Sequence, residues 1–460
     1  MERKTAWEKY TKKQKQDVMV FAEGYRQFIS DCKTERECVK EFVKIAKKQG
    51  FKDLAEIIKA GKKVKAGDKL FISNMGKALA LFVIGKEPLE NGMNILGAHI
   101  DSPRLDLKQN PLYEESGLAM MDTHYYGGIK KYQWVTLPMA LHGVIATKDK
   151  GVIEVNVGDN ELDPVFGVSD LLIHLAADQM DKKVAKAVKG EALDICVGSI
   201  PLKGEEKDAV KKNILKILKD SFGIEEEDFI SAEIEVVPAG PARDYGFDRS
   251  MIMGYGQDDR VCAYPSFWAL MNSAKLDRTG VCLLVDKEEI GSVGATGMHS
   301  HFFENTVAEI LNCMGCYSEL AVRRAMSNSK VLSSDVSAGF DPNYPEVSDK
   351  NNSAYMGKGM VLNKYTGSRG KSGSNDASAE YIGDLRKVFD DAKVSFQTSE
   401  LGKVDQGGGG TIAYILANFG MQVIDSGVAV HNMHAPWEIT SKADIYEALK
   451  GYEAFVKNMK

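Results

Sequence analysis

Two kinds of apolar pattern alternate along the chain. Short apolar runs bounded by glycine or proline, at 78–84 and 93–99, are typical of buried strands. Further along, helical periodicity alternates with apolar runs, which predicts helices and strands at 267–276, 281–285, 306–326, 378–390 and 421–424. Such alternation predicts an α/β fold with a mainly parallel sheet flanked by helices.

The segment from 105 to 241 has a different pattern. Hairpin-like apolar pieces occupy 131–145 and 151–157, without the helix–strand alternation seen later. We therefore predict a discontinuous α/β domain formed by 1–104 and 242–460, interrupted by an inserted β-rich domain at 105–241. A chain of 460 residues is long enough for two such domains.

Composition and charge narrow the class of protein. The chain has 59 basic and 65 acidic residues, a net charge of −6, which argues against a general nucleic-acid binder. No apolar run approaches the roughly 18 residues that predict a membrane span. Residues 1–10 are charged and lack the apolar stretch that is typical of a secretory signal, and the seven cysteines are scattered. We expect a cytoplasmic chain with reduced thiols, no nucleic-acid partner and no membrane segment.

Polar side chains follow four of the predicted strands. They are His99 with Asp101, Glu288 with Glu289, Asp335, and His434. Ligands of open α/β sheets bind at the carboxyl ends of the strands, so these side chains are candidates for a single site. Agreement among four strand ends is harder to obtain by chance than any single motif.

The residue types at these strand ends suit metal-assisted hydrolysis. Asp101 lies two residues after His99 on an extended chain, so it can orient a metal-bound imidazole. The neighbouring Glu288 and Glu289 would repel each other when buried unless cations lie beside them. Two divalent ions would about offset three ligand carboxylates, one free glutamate and a hydroxide. Two neighbouring metal ions lower the pKa of a water molecule that they share and polarise an amide carbonyl.

Each motif also has a plain structural interpretation. Asp258-Asp259-Arg260 alone could be a helix N-cap with a surface ion pair, and Glu288-Glu289 alone could be a solvated turn. The imidazole and carboxylate ligands, without thiolate, suit Zn²⁺, Mn²⁺ or Co²⁺. Their joint occurrence at strand ends favours the metal site.

Four motifs, in this order and spacing, resemble a known family. They are Gly97-Ala98-His99-x-Asp101-Ser102-Pro103, Glu288-Glu289-x-Gly291-Ser292, Asp335 followed by Asp341-Pro342-Asn343-Tyr344, and Met433-His434. The chain resembles, over most of its length, the bacterial branch of the aspartyl aminopeptidases, dinuclear zinc enzymes of metallopeptidase family eighteen. The resemblance implies a zinc-peptidase-like catalytic domain, an inserted dimerisation domain and a homo-oligomer, a tetrahedral dodecamer built from dimers.

The resemblance also implies roles for individual residues. His99 and Asp335 would bind one zinc, Glu289 and His434 the other, and Asp258 would bridge them, with Asp259 as its rival. Two further roles concern the reaction. Glu288 would be the general base, and Asp101 would orient His99.

The substrate pocket is the least defined part of the resemblance. Lys371 or Arg369 could pair with an acidic N-terminal residue of a peptide, whereas Asp376 could favour a basic one. The glycine run around Gly408 suits either a close backbone approach to substrate or a flexible surface loop. His174 either contributes to the active site of the partner subunit or packs within a helix of its own subunit.

The sequence therefore predicts a metal-dependent aminopeptidase that trims peptides and binds two Zn²⁺ per subunit, with Mn²⁺ or Co²⁺ as alternatives. One rival is a dinuclear-zinc deacylase or carboxypeptidase, which needs a basic residue for the substrate carboxylate. Another rival is a catalytically silent, shell-forming scaffold. Buried, mutually repelling carboxylates argue against the scaffold, because it has no need for them.

Overall fold

The structure is a computed structural model that describes residues 4–460. Tertiary contacts divide the chain into two compact units. The first unit runs to Asp101 and includes Ala242–Met433 and Glu438–Lys460, while the second comprises Ser102–Pro241 and His434–Trp437. The roles of these ranges in catalysis and dimerisation stay predictions. Within residues 4–460, no helix is long and apolar enough to span a membrane.

The first unit is built on a nine-stranded sheet. Its strands, in spatial order, are Lys52–Asp53, Lys69–Asn74, Ala78–Val83, Thr279–Val285, Met93–His99, Lys330–Ser333, Gln422–Gly427, Met360–Asn363 and Phe396–Thr398. Five strand pairs are parallel and three are antiparallel. The predicted mainly parallel sheet is confirmed, with antiparallel pairs interspersed.

Burial on both faces explains the apolar strand sequences. Every residue of the three strands Ala78–Val83, Met93–His99 and Thr279–Val285 is buried. Because successive side chains point to opposite faces, Ile95 joins one apolar cluster and Leu96 the other. A strand covered by helices on both faces needs an apolar run rather than an alternating pattern.

Helices cover this sheet. Those of the first unit are Ala6–Lys9, Lys12–Asp31, Glu35–Lys48, Leu54–Lys59, Gln257–Met271, Phe302–Met314, Glu319–Ser327, Ala379–Asp391, Ala413–Ala417 and Lys442–Asn458. Thr11 and Thr34 begin the second and third helices with reciprocal capping boxes, which satisfy backbone N–H groups of the first turn.

Two predicted helix boundaries are wrong. The segment 306–326 forms two helices, because Gly315 adopts a φ of +77° after the first and Ser318 caps the second. The apolar spacing continues across this break, so periodicity alone concealed it. The helix predicted at 267–276 ends at Met271, and its start lies at Gln257.

A smaller sheet completes the first unit. Its five strands, in spatial order, are Arg243–Tyr245, Met251–Gly254, Glu438–Ser441, Ala429–His431 and Ser337–Ala338. This sheet places Glu438 and the residues after Asp335 beside the C-terminal edge of the large sheet. The smaller sheet therefore borders the region that contains the predicted metal ligands of the first unit.

The second unit is an antiparallel β structure, as predicted for the insert. Its six strands, in spatial order, are Gly151–Val157, Met139–Thr147, Ala232–Pro238, Arg104–Glu115, Leu118–Tyr126 and Ile195–Gly198. The helix Ala209–Phe222 packs over this sheet, and two short helices span Ala177–Met180 and Val184–Ala187. Ile214 and Leu218 of the long helix line, together with apolar residues of the sheet, a cavity of about 480 Å³.

Candidate metal centre

Strand register brings the predicted residues to one edge of the large sheet. His99 ends its strand opposite Val285, and the turn Glu288–Ile290 follows directly after that neighbouring strand. On the other side, Gly97 pairs with Ser333, two residues before Asp335. His99, Glu288 and Asp335 therefore meet although they are far apart in sequence.

His99 lies at the centre of this edge and is buried. Its Nδ1 atom is 3.0 Å from the Asp101 carbonyl oxygen, and its Nε2 atom is 3.1 Å from Asp258 Oδ1. Glu288 Oε2 is 3.8 Å from the same Nε2 atom. A proton on Nδ1 that is directed at Asp101 leaves the Nε2 lone pair facing the carboxylates.

Asp101 also positions the glutamate pair. Its two carboxylate oxygens accept hydrogen bonds from the backbone N–H groups of Glu288 and Glu289, at 3.2 and 3.3 Å. The same carboxylate lies 3.3 Å from His99 Nδ1. Asp101 thus connects the imidazole to the turn that carries both glutamates, which extends the orienting role predicted for it.

Asp258, Asp259 and Arg260 are buried at the start of the helix Gln257–Met271. The peptide bond between the two aspartates is cis. The Arg260 Nε–H donates to the Ile100 carbonyl at 3.1 Å, and the backbone N–H of Asp258 donates to Glu438 at 3.1 Å. The alternative of a surface ion pair at this motif is wrong, because all three side chains are inside the fold.

Two sets of side chains in the first unit could each hold a cation. His99, Asp258 and Asp335 offer ligand atoms that lie within 4.8 Å of one another, and so do His99, Glu288 and Glu289. Asp259 belongs to neither set. Nitrogen and carboxylate oxygen without thiolate form a donor set that zinc and similar divalent ions accept.

The pKa shifts of the clustered side chains indicate whether this site suits cations. Burial raises the pKa of Asp335, and the nearby charges of Asp258 and Glu288 raise it further. Burial opposes the charged form of His99, but Asp101 and Asp258 outweigh it and raise the pKa of His99. Carboxylates this close resist ionisation together, so divalent cations are the partners that would stabilise them. The residues fit the metal that the sequence predicts.

His434 and His174, the other two predicted histidines, belong to the second unit. The Nδ1 atom of His434 is 2.7 Å from the Gly128 carbonyl oxygen, which fixes the orientation of the ring. His174 lies in the exposed turn Ile173–Leu175. The roles of both histidines stay predictions.

Two of the predicted substrate residues, Lys371 and Arg369, line a cavity of about 310 Å³ in the first unit, whereas Gly408 lies outside its lining. Lys371 pairs with Asp376 at 3.0 Å, and its ammonium group stacks on the Tyr365 ring at 3.7 Å from the ring centre. Arg369 shares this lining. Gly408 packs so closely against Gly367 that a Cβ atom would be 2.0 Å from the Gly367 carbonyl oxygen.

One buried carboxylate near this edge was missed by the sequence prediction. Asp425, on the strand Gln422–Gly427, pairs in register with Ser333 and is 1% exposed. The signal that could have found it is the one used for the other strands, an acidic residue at the end of an apolar run.

Comparison with known proteins identifies relatives over nearly the whole chain. The family model "Aminopeptidase I zinc metalloprotease (M18)" matches residues 28–456. A probable M18 family aminopeptidase 1 of Clostridium acetobutylicum is 63% identical over 458 residues, covering 99% of this chain and 98% of the relative.

Solved structures agree with this result. The crystal structure of an M18 family aminopeptidase from Thermotoga maritima matches with a TM-score of 0.95 and 44% identity, covering 100% of both chains. The S. cerevisiae mApe1 dodecamer matches with a TM-score of 0.75 at 21% identity, covering 96% of this chain and 97% of the yeast chain, which shows a shared fold.

The family match, the whole-length identity and the carboxylate–histidine cluster converge on one conclusion. The resemblance inferred from the motifs is confirmed, and so is the predicted enzyme class. This chain belongs to the M18 family of zinc aminopeptidases and is a metal-dependent hydrolase of peptide bonds.

Proposed function

We propose that the cluster holds two divalent ions, zinc by preference, and removes N-terminal residues from peptides. The observation that carries this proposal is the convergence of His99, Asp258 and Asp335 ligand atoms within 4.8 Å. In this proposal His99 and Asp335 hold one ion, and Asp258 bridges to the second. Asp258 is preferred to Asp259 because its carboxylate, at 3.1 Å, faces the His99 imidazole.

The second ion is proposed to bind Glu289 and His434. Glu289 lies within 4.8 Å of His99 in the second ligand set, and the Met433-His434 motif supplies the histidine. Two ions also suit the charge, since Asp101, Glu288 and Asp259 add negative charge beyond the ligands themselves. Mn²⁺ and Co²⁺ are the alternatives to zinc that this donor set allows.

Glu288 is proposed as the general base. The Asp101 carboxylate holds its backbone N–H, while the Glu288 side chain extends toward His99. When bound, the metals would polarise the scissile carbonyl and acidify the attacking water. Glu288 would accept the proton of that water and then donate it to the leaving amine.

The cavity near Arg369 and Lys371 is the proposed pocket for the N-terminal side chain. Arg369, Lys371 and Lys403 line it, against a single acidic residue, Glu400. This positive excess favours acidic N-terminal residues. Asp376 neutralises part of the charge of Lys371, which would weaken the preference.

We propose that the enzyme is a homo-oligomer whose dimers form through the second unit, and whose dimers build a tetrahedral dodecamer. Apolar side chains at Leu171, Leu172, Ile173 and Leu175 are exposed in the single chain, which is costly unless another surface covers them. The dodecameric assembly of the yeast relative supports this arrangement. His174, in the same turn, would then be available to the partner subunit's site.

A panel of fluorogenic amino-acid amides tests the proposed activity. Free Asp, Glu, Lys, Leu and Met amides are compared with the same compounds blocked at the amine, with and without a chelator. We expect chelator-sensitive release from free amides, fastest for Asp and Glu. Fluorophore release from blocked compounds as fast as from free ones would contradict the aminopeptidase, and removal of the blocking acyl group without fluorophore release, followed by mass spectrometry, would support the deacylase alternative.

A further inference from the structure

The loop that carries Arg369 and Lys371 lines the proposed substrate pocket, and it packs on a glycine-rich loop whose first residue, Gly407, also lines the pocket. The substrate loop, residues 364–376, donates a hydrogen bond from the Gly367 N–H to the Gly409 carbonyl of the glycine loop, residues 407–411, at 2.7 Å. Gly408 has a φ of +122°, and its close contact with Gly367 leaves no room for a side chain. Gly408 therefore serves the close packing between the two loops.

Both loops are tied to the same strand, Gln422–Gly427. The Asn375 side chain donates to the Val423 carbonyl at 2.7 Å. Two residues along the strand, the Thr411 hydroxyl donates to Asp425 Oδ1 at 2.6 Å. Thr411 Oγ1 also accepts from the Ala413 N–H, which joins it to the first turn of the following helix.

Asp425 is an unusual residue for such an anchor. Its other carboxylate oxygen is buried and, in the described residues, accepts no hydrogen bond from the protein. Burial raises the pKa of Asp425 to about 7, the Thr411 hydrogen bond lowers it, and the nearby charge of Glu288 raises it. A purely structural anchor could be an asparagine or serine, without the cost of burying a carboxylate.

We propose that Asp425 is a positioning residue that, through Thr411, holds the glycine loop and the substrate loop in the geometry that binds the N-terminal residue of the peptide. This inference rests on the proposed function, because it assigns the pocket to substrate. Asp425 touches neither substrate nor a metal ligand in this account. Its effect is therefore on substrate binding more than on the reaction step.

Four variants of the full-length, metal-loaded protein test this role. Thr411→Val removes the hydroxyl that Asp425 holds, Thr411→Ser keeps it, and Asp425→Asn keeps an acceptor but removes the charge. Thr306→Val is the matched control, since Thr306 is a buried threonine whose hydroxyl donates within its own helix to Phe302. Metal content is measured for every variant.

For the best amide of the panel, we expect Thr411→Val to raise KM about tenfold while kcat changes less than twofold, the size expected for one hydrogen bond to a charged group. Thr411→Ser and Thr306→Val should match the parent protein, and Asp425→Asn should lie between. An unchanged KM in Thr411→Val, or a loss of bound metal, would overturn the positioning role.

Hydrogen exchange separates this inference from the proposed function. Residues 367–376 and 407–411 should exchange faster in Thr411→Val than in Thr411→Ser, whether or not any amide is hydrolysed. The parent protein could fail to cleave any amide while the exchange difference is still present. The proposed function would then be wrong, and the anchoring role of Asp425 would stand. Equal exchange in the two variants would refute the anchor even in an active enzyme.

Discussion

The carboxyl edge of the large sheet and the surface of the second unit are unusual in opposite ways. The first buries acidic side chains, and the second exposes apolar ones. At the sheet edge, Asp101, Asp258 and Asp259 are buried acidic groups. In the second unit, Leu172 and Ile173 are apolar side chains that are 54% and 67% exposed. Burying acidic groups and exposing large apolar side chains both cost free energy.

The difference shows what each region requires. Buried carboxylates are stabilised by cations, whereas exposed apolar side chains are stabilised by another apolar surface. The first requirement indicates a metal centre and the second an interface between copies of the chain. The following predictions test the metal centre and the interface separately.

The largest effect is expected for the general base. Glu288→Gln should reduce kcat about 10³-fold, because the amide cannot accept the proton of the attacking water. Bound metal and oligomer size should stay unchanged, since Glu288 is not among the proposed ligands of either ion. Activity within tenfold of the parent protein would show that another group is the base.

Metal removal should destabilise the first unit and leave the strands 139–147 and 151–157 of the second unit unaffected. At a metal concentration 100 times the dissociation constant, binding adds about 2.7 kcal/mol to the free energy of unfolding. We expect a chelator to lower the unfolding temperature and to accelerate hydrogen exchange around His99 and Asp335, but not in the strands 139–147 and 151–157. Asp335→Asn should show a smaller chelator effect.

The exposed apolar turn should control assembly and not metal binding. Ile173→Asp is expected to convert the oligomer to smaller species in light scattering, because a charge would be buried at the interface. Val20→Asp is the matched control, since Val20 in the first unit is exposed to the same extent, 67%. Dissociation by both variants, or by neither, would remove the turn from the interface.

A pH dependence of the stability is expected from a buried carboxylate away from the metal centre. Asp444 accepts hydrogen bonds from the N–H groups of Gly357 and Gly359, both at 2.7 Å. Burial raises the pKa of Asp444 to about 8, although these two bonds lower it. Since the unfolded chain has a pKa near 3.9 at this group, the folded protein retains a proton that the unfolded chain releases.

This difference in pKa sets the direction in which the free energy of unfolding changes with pH. The stabilisation is fully present below about pH 4 and is lost as the pH rises toward 8, at up to about 1.4 kcal/mol per pH unit. Unfolding by urea at pH 5, 6, 7 and 8 should show this slope in the parent protein and a shallower one in Asp444→Asn. Parallel slopes in the two proteins would show that Asp444 is ionised in the fold.

Much of the metal centre was predictable, because strand register is a simple constraint. Once the runs ending at His99 and Val285 are recognised as neighbouring parallel strands, Glu288 must lie beside His99. The burial of Arg260 was not predictable, since it depends on Ile100 and Tyr255 from other segments. Local sequence favoured the surface ion pair there.

The loops were harder to predict than the strands. The ion pair between Lys371 and Asp376 forms within one irregular loop, and charge alone could not distinguish it from a free basic residue. The hydrogen bond between the Thr411 and Asp425 side chains joins a loop to a strand. Neither contact leaves a periodic pattern in the sequence.

The most direct test of the central claim is anomalous diffraction at the zinc edge from crystals of the zinc-loaded protein. We expect two peaks roughly 3.5–4 Å apart, with Asp258 between them and His99 and Asp335 at one of the two. A single peak, or peaks remote from these residues, would contradict the two-metal centre.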